Sequence, residues 1–387
     1  RKRLKTEIGI KEIFQYPTVK ELSEKILKSK ETEIGEIKKA EKKEYYELSN
    51  AQRRLWVLSQ FEEQRNAYNM PGKLEIEGEL KIECFRNAVL ELIGRHEILR
   101  TIFITVKGEA KQRIIEDEEL RVESYFEYED ISKTENRESL IHNLQETIIN
   151  YEFELTRIPL MKIKVIKMRE EKYLLLFNMH HIISDGWSMN VLIKDIMEIY
   201  NGAVEKRKNK LKGLEIQYKD YAEWQNELVK SEKIKKNREY WERKLSGELP
   251  VLDLPGDKPR PSVKTYNGNS VENLLKKDIS EKIKEFCIKH NVSLFMLLTA
   301  AVKVLLHKYT GAEDIIVGSP IAGRIHPDLE NQIGFYVNTL ALRDSITGEM
   351  EFKGFLGRVR ETALEAYQNE NYPFDRLVED LKLSRDT

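Results

Sequence analysis

The sequence predicts a mixed α/β (α+β) protein built as two lobes of similar style. Three observations carry that expectation. Helix-periodic runs and strand-type apolar runs are mixed in both halves of the chain, as in domains that layer helices on sheets. A proline-rich stretch, "LDLPGDKPRP" at 252–261, separates the halves. The length of 387 residues provides for two to three cores.

In order, residues 8–28, "IGIKEIFQYPTVKELSEKILK", read as a short helical turn, a break at Pro17 and a second helix. Thr18 caps that helix, and Leu22, Ile26 and Leu27 form its apolar stripe. Residues 29–44 alternate charge with almost no core-forming side chains, which predicts a solvated linker or a charged helical extension. From Tyr45 the chain turns globular. "CFRNAVLELIGRHEILRT" is an amphipathic helix with Phe85, Val89, Leu92 and Ile93 on one side. "MKIKVIKM" and "YLLLFNMHHII" follow as strands, then "SMNVLIKDIMEIYNG" as a helix with Ser188 as N-cap and Gly202 as exit. After the proline-rich crossing come helices "ISEKIKEFCIKHN" and "SLFMLLTAAVKVLLHKYTG", strands in "DIIVGSPIAGR" and "VNTLALRD", and helix "FKGFLGRVRETALEAYQN".

Composition excludes several classes. Sixty-five basic residues against 66 acidic ones give a formal net charge of −1, against a global nucleic-acid or anionic-membrane surface. The two cysteines, Cys84 and Cys287, form neither a metal motif nor a disulfide framework, which fits a reducing, cytoplasmic compartment. No apolar run reaches the roughly 18 residues of a membrane span. The chain opens "RKRLKTEIGI", without Met or signal peptide, and reads as a piece of a longer polypeptide.

The chemistry concentrates in "FNMHHIISDGWS", 177–188. Two adjacent histidines stand where a buried strand runs out, and neighbouring strand side chains point to opposite faces. One imidazole is expected to face a cleft and the other to pack. Asp185, if buried, needs a cationic or hydrogen-bonding partner. Gly186 permits a close approach, Trp187 can wall the site, and Ser188 caps the outgoing helix. A purely structural pair is the bland alternative. A metal site lacks a third ligand, and a Ser-His-Asp hydrolase lacks any G-x-S-x-G elbow. What remains is a histidine that takes a proton or stabilises charge while the substrate itself attacks.

HHxxxDG resembles the signature of nonribosomal peptide synthetase condensation domains. Five further stretches extend the resemblance in the family's order: "LSNAQRRLWVLSQ" (48–60), "RHEILRTIF" (95–103), "YKDYAEWQ" (218–225), "IGFYVNTLALR" (333–343) and "NENYPFDRLV" (369–378). In the last, Asn369 and Asp375 depart from the family's pattern. Residues 8–27 resemble the end of a carrier protein, and "LSRDT" resembles the start of the family's final motif. The implied organisation is a carrier tail at 1–28, a linker at 29–44, an N-lobe at 45–251 and an incomplete C-lobe at 252–387.

The resemblance implies a V of two chloramphenicol-acetyltransferase-like lobes around a central tunnel that admits pantetheine arms from two faces. The acceptor carrier's aminoacyl amine attacks the donor carrier's acyl or peptidyl thioester, with no acyl-enzyme. His181 is then the principal catalytic residue and His180 orients the loop. Asp185 is structural, paired with Arg324 in preference to Arg343, and Gly186 keeps the tunnel open. Arg95 and Arg100 hold the fold or aid carrier docking. Trp187, Ser188, Tyr218, Trp224 and Asn338 line the channel or an interface, with core packing the alternative for Trp224. The domain itself binds no cofactor or metal, since its substrates arrive on 4′-phosphopantetheine. The partners implied are an upstream donor carrier, a downstream acceptor carrier and a following adenylation domain. "DGWS" after the aspartate, the absence of histidine from "YYELSNAQRR" and the carrier tail running straight into the domain imply an L-configured donor. The rivals are a stand-alone acyltransferase using acyl-coenzyme A and a catalytically silent carrier-docking module.

Overall fold

The computed structural model describes residues 10–28, 36–60, 66–116, 119–258 and 268–382. The expected final motif at 383–387, the first part of the linker and residues 259–261 of the proline-rich crossing lie outside the described residues. In chain order, helices α1 (Ile10–Gln15) and α2 (Val19–Lys28) precede strand β1 (Tyr46–Glu47), helix α3 (Asn50–Leu58), strand β2 (Gly72–Glu77) and helix α4 (Ile82–Arg95). Strands β3 (Thr101–Val106), β4 (Glu109–Ile114) and β5 (Phe126–Asp130) lead to helix α5 (Arg137–Ile149). Strands β6 (Met161–Arg169) and β7 (Lys172–Met179) then lead to helices α6 (Gly186–Val204) and α7 (Tyr218–Lys230). The remainder comprises α8 (Lys235–Lys244), α9 (Lys277–Lys289), α10 (Leu294–Thr310), β8 (Asp314–Ile321), β9 (Asn338–Ser345), α11 (Phe352–Gln368) and α12 (Phe374–Asp380).

The chain divides into two compact units, one formed by 36–230 with 324–337, the other by 231–323, residues from 338 onward and the N-terminal helices. In the first unit a four-stranded sheet has the order β2-β7-β6-β5, and β1-β4-β3 form a second sheet. Strand β7 explains the unbroken "YLLLF" run. Tyr173 and Leu175 face the main core, while Leu174 and Leu176 face a smaller one shared with Ile148 of α5. A strand buried on both faces cannot alternate apolar with polar. Helices α4 and α6 pack in the main core through Phe85, Val89, Leu92, Val191, Ile196 and Ile199. Helix α3 opens with a capping box in which Ser49 Oγ accepts the Gln52 N–H at 3.1 Å and Gln52 Oε1 accepts the Ser49 N–H at 3.2 Å.

The second unit sets α10 and α11 against the antiparallel β8–β9 pair, with Met296, Ala300, Ile315, Phe355, Val359 and Ala363 in its core. Helix α10 is bounded by local chemistry: Ser293 Oγ accepts the Met296 N–H at 3.2 Å, and Gly311 ends the helix at φ +71.

Four segments differ from the sequence expectations, one being 324–337, expected in the C-lobe and found in the first unit. In the described part of the linker, residues 36–44 form neither helix nor strand and belong to the first unit, with Ile37 buried and the Ala40 N–H donating to Asp220 at 2.8 Å. Lys43 adds an ion pair with Glu223 at 3.3 Å, so a segment whose average composition is charged is docked by one isoleucine and a few polar contacts. Residues 231–251, expected in the N-lobe, belong to the second unit. Trp241 is buried there and its indole N–H donates to Asn369 O at 2.9 Å. The N-terminal helices also join this unit, where Phe14 of α1 packs on its core and lies under the Arg360 guanidinium. No single helix among the described residues is long and apolar enough to cross a membrane.

Candidate active site

Strand β7 ends at Met179, one residue before the histidine pair. His180 forms an isolated bridge with Asn69, and His181 opens a single 3-10 turn at His181–Ile183. The two rings diverge because the chain turns, where the sequence suggested strand alternation. His180 is buried, and its Nδ1 accepts the Ile182 N–H at 3.1 Å. A nitrogen that accepts carries no proton, so the proton of this neutral ring sits on Nε2. Burial, with the adjacent His181 adding to it, pushes the His180 pKa down to about 3.

His181 is half-buried, with its N–H donating to Tyr68 O at 2.8 Å. Its Nδ1 lies 2.9 Å from the Ser184 carbonyl oxygen. A carbonyl only accepts, so Nδ1 carries the hydrogen and the neutral ring presents its lone pair at Nε2. The adjacent histidines therefore hold opposite tautomers. Phe335 meets the His181 ring edge-on, with centroids 5.2 Å apart at 63°.

Asp185 is buried and fully engaged. Its Oδ1 accepts from the Ser188 N–H at 2.8 Å, the Ser188 hydroxyl at 2.7 Å and Arg324 Nη2 at 3.1 Å. Its Oδ2 accepts the Tyr336 N–H at 3.1 Å. Arg324, itself buried, also donates to Leu329 O and, at 2.8 Å, to Gln332 O, and its guanidinium lies 4.2 Å over the Tyr336 ring. Arg343, the other candidate partner, lies in the second unit and pairs with Asp314 at 2.6 Å.

The cap of α6 is Asp185, where the sequence reading had Ser188, and the helix runs past Gly202 to Val204. A carboxylate at the N-terminus suits the helix dipole and leaves Ser188 two residues inside the helix. There the Ser188 hydroxyl meets Arg324 Nη2 at 2.8 Å and the Gly334 backbone at 2.9 and 3.0 Å. Gly186 starts the helix in open space, with nothing within 4 Å of an added Cβ. Trp187 stays exposed, its indole N–H donating to Glu330 O at 2.9 Å.

The other candidates disperse. Tyr218 is buried, its hydroxyl donating to Phe335 O at 2.5 Å and meeting Ser49 Oγ at 2.8 Å. Trp224 packs against the main core. Arg95 pairs with Asp195 on α6 at 2.8 Å, and His96 Nε2 meets the same carboxylate at 2.9 Å. Arg100 is buried and donates to Ile115 O. Asn338 clasps the second unit by donating to Glu370 O and Tyr372 O and accepting the Phe374 N–H. Sequence reasoning missed Phe335, Tyr336, Gly334 and Gln332. All four stand in or beside the "IGFYV" run, a Gly-aromatic signal just before a strand that marked a motif without revealing its contacts.

Among the described residues no serine or cysteine side chain hydrogen-bonds the His181 ring, and no group of three His, Cys, Asp or Glu could hold a metal. The arrangement offers one oriented imidazole lone pair beside a locked carboxylate–guanidinium pair.

The family model for the condensation domain matches residues 42–387. Bacitracin synthase 3 of Bacillus licheniformis is 41% identical over the whole of this chain, which spans 6% of that protein. Tyrocidine synthase 3 of Brevibacillus parabrevis is 40% identical over the whole chain, again 6% of its length. The X-domain from teicoplanin biosynthesis superposes with a TM-score of 0.80 at 25% identity, covering 90% of this chain and 76% of that one. The fold class is the chloramphenicol-acetyltransferase-like one of these domains.

Proposed function

Because this chain belongs to the condensation-domain family, we propose that it joins an acceptor aminoacyl group to a donor acyl or peptidyl group, both carried as thioesters. Condensation domains of nonribosomal peptide synthetases catalyse amide-bond formation between carrier-bound substrates, an acyltransferase reaction. Here the acceptor amine attacks the donor carbonyl carbon, the C–N bond forms, and the C–S bond breaks to release the pantetheine thiol. The proton lost by the amine is taken at His181 Nε2, the nitrogen left unprotonated by the Nδ1–H to Ser184 O contact of 2.9 Å, and passes from there to the departing thiolate. That contact carries the reading. His180, neutral and buried, anchors the loop, and Asp185 with Arg324 holds the turn instead of touching substrate. Gly186 leaves open space beside the loop.

Carrier proteins are the partners of the family's chemistry. An L-configured donor presented by an upstream carrier whose tail is 1–28, a downstream acceptor carrier, a following adenylation domain, the absence of a resident cofactor and a cytoplasmic site of action belong to the proposal. The synthetase relatives support the carrier and adenylation partners, and the free cysteines Cys84 and Cys287 support the cytoplasmic site.

The test loads a donor and an acceptor carrier and seeks the dipeptidyl product on the acceptor by mass spectrometry. Product from carriers alone supports the reading. Turnover of free acyl-coenzyme A with a soluble amine would replace it by a stand-alone acyltransferase, and carrier binding without product by a silent docking module.

A further inference from the structure

We infer that Phe335 is a positioning residue for His181, held in place by the buried Asp185–Ser188–Tyr218 cluster; this deepens the proposed function and rests on it. Three consecutive backbone positions are pinned. Gly334 donates its N–H to Ser188 Oγ at 3.0 Å. Phe335 O accepts the Tyr218 hydroxyl at 2.5 Å, and the Tyr336 N–H donates to Asp185 Oδ2 at 3.1 Å. The backbone is drawn so close that a Cβ on Gly334 would lie 2.1 Å from the Tyr218 ring. Between these anchors the Phe335 side chain, 4% exposed, has little freedom, and its ring stands 5.2 Å from the His181 ring at 63°.

The hydrogen bond from Nδ1 to Ser184 O fixes one point of the imidazole but leaves it free to pivot about that contact. A wall on the ring removes the pivot, and an edge-to-face aromatic pair is a favourable wall. Phe335 thus links the locked carboxylate to the imidazole: Asp185 and Ser188 hold the backbone, the backbone holds Phe335, and Phe335 holds the direction of Nε2. Proton transfer to a positioned base depends steeply on that direction.

The experiment compares the 387-residue chain with its Phe335→Ala and Phe335→Leu variants. Two readouts are taken: single-turnover condensation on loaded carriers, and the ¹⁵N signals of the His181 ring in histidine-labelled protein, assigned with His181→Ala. Phe335→Ala is expected to slow turnover by about 10- to 100-fold. The acceptor concentration giving half the maximal single-turnover rate is expected to stay within about twofold. The His181 signals should move from a single-tautomer pattern towards a tautomer average, and Phe335→Leu, which refills part of the space, should recover part of both. Wild-type turnover in Phe335→Ala overturns the inference, and so does slow turnover with unchanged His181 signals. Should Phe335→Ala fail to fold, Phe335→Leu decides by the same two criteria. A wild-type chain that makes no product from loaded carriers sinks the proposed reaction alone, because the ring signals still report whether Phe335 holds His181.

Discussion

Replacing Arg324 by Met removes the only cation that contacts Asp185 among the described residues while preserving much of the side-chain volume. The carboxylate keeps the Ser188 and Tyr336 N–H groups at 2.8 and 3.1 Å, so it is not stripped of hydrogen bonds. What it loses is a positive charge 3.1 Å away, at a site where the two side chains are 1% and 3% exposed. At that separation the attraction is about 5 kcal/mol for an effective dielectric of 20. The Gln332 carbonyl loses the guanidinium donor as well, while the Leu329 carbonyl keeps the Gln332 N–H at 3.3 Å. Offsetting part of this, Arg324 no longer has to be desolvated, and removing one member of a buried pair costs about 3–5 kcal/mol in general. For a unit of roughly 200 residues that corresponds to a fall in melting temperature of about 6–20 °C. Calorimetry of wild type, Arg324→Met, Asp185→Asn and the double variant measures it as a cycle. The double variant should be less destabilised than the sum of the singles by at least about 1.5 kcal/mol, because the second change no longer strands a charge. A shift below about 2 °C for Arg324→Met, or strict additivity, would refute the claim that this pair locks the turn.

Further outcomes follow from the same contacts. The His180 pKa is lowered from 6.5 to about 3, so the unfolded chain binds more protons between those values, and stability is present above about 6.5 and lost as pH falls towards 3. The loss amounts to at most about 5 kcal/mol, and His180→Gln, which keeps an acceptor for the Ile182 N–H, should flatten the dependence in acid titrations. Gly334→Ala forces a Cβ to within 2.1 Å of the Tyr218 ring and is expected to destabilise by about 1–3 kcal/mol or more in urea unfolding. Lys303, fully buried in the second unit, donates to Leu342 O at 2.7 Å and pairs with Asp344. Lys303→Met should cost about 3–5 kcal/mol in denaturant unfolding, and adding Asp344→Leu should recover most of it.

What the sequence disclosed and what it hid divide along a physical line. The run of β7, the run of α10 and the place of the histidine pair were legible, because periodicity and motif spacing are local. The tautomers were not, because a strand reading of "NMHHII" misses the single turn that begins at His181. The partner of Asp185 lies 139 residues away, and Arg324 and Arg343 differ only in tertiary position. The same holds for Phe335, for the Asp195 contacts of Arg95 and His96, and for the buried Lys303–Asp344 pair, whose members look like ordinary surface charges in a chain rich in them.

The role of the His181 imidazole is tested most directly by the single-turnover rate of His181→Ala on loaded donor and acceptor carriers, with folding checked by circular dichroism. Loss of the lone pair at Nε2 should slow amide formation by about 10²- to 10⁴-fold while carrier binding persists. A folded His181→Ala chain that makes the same product within about threefold of the wild-type rate would remove this ring from the chemistry.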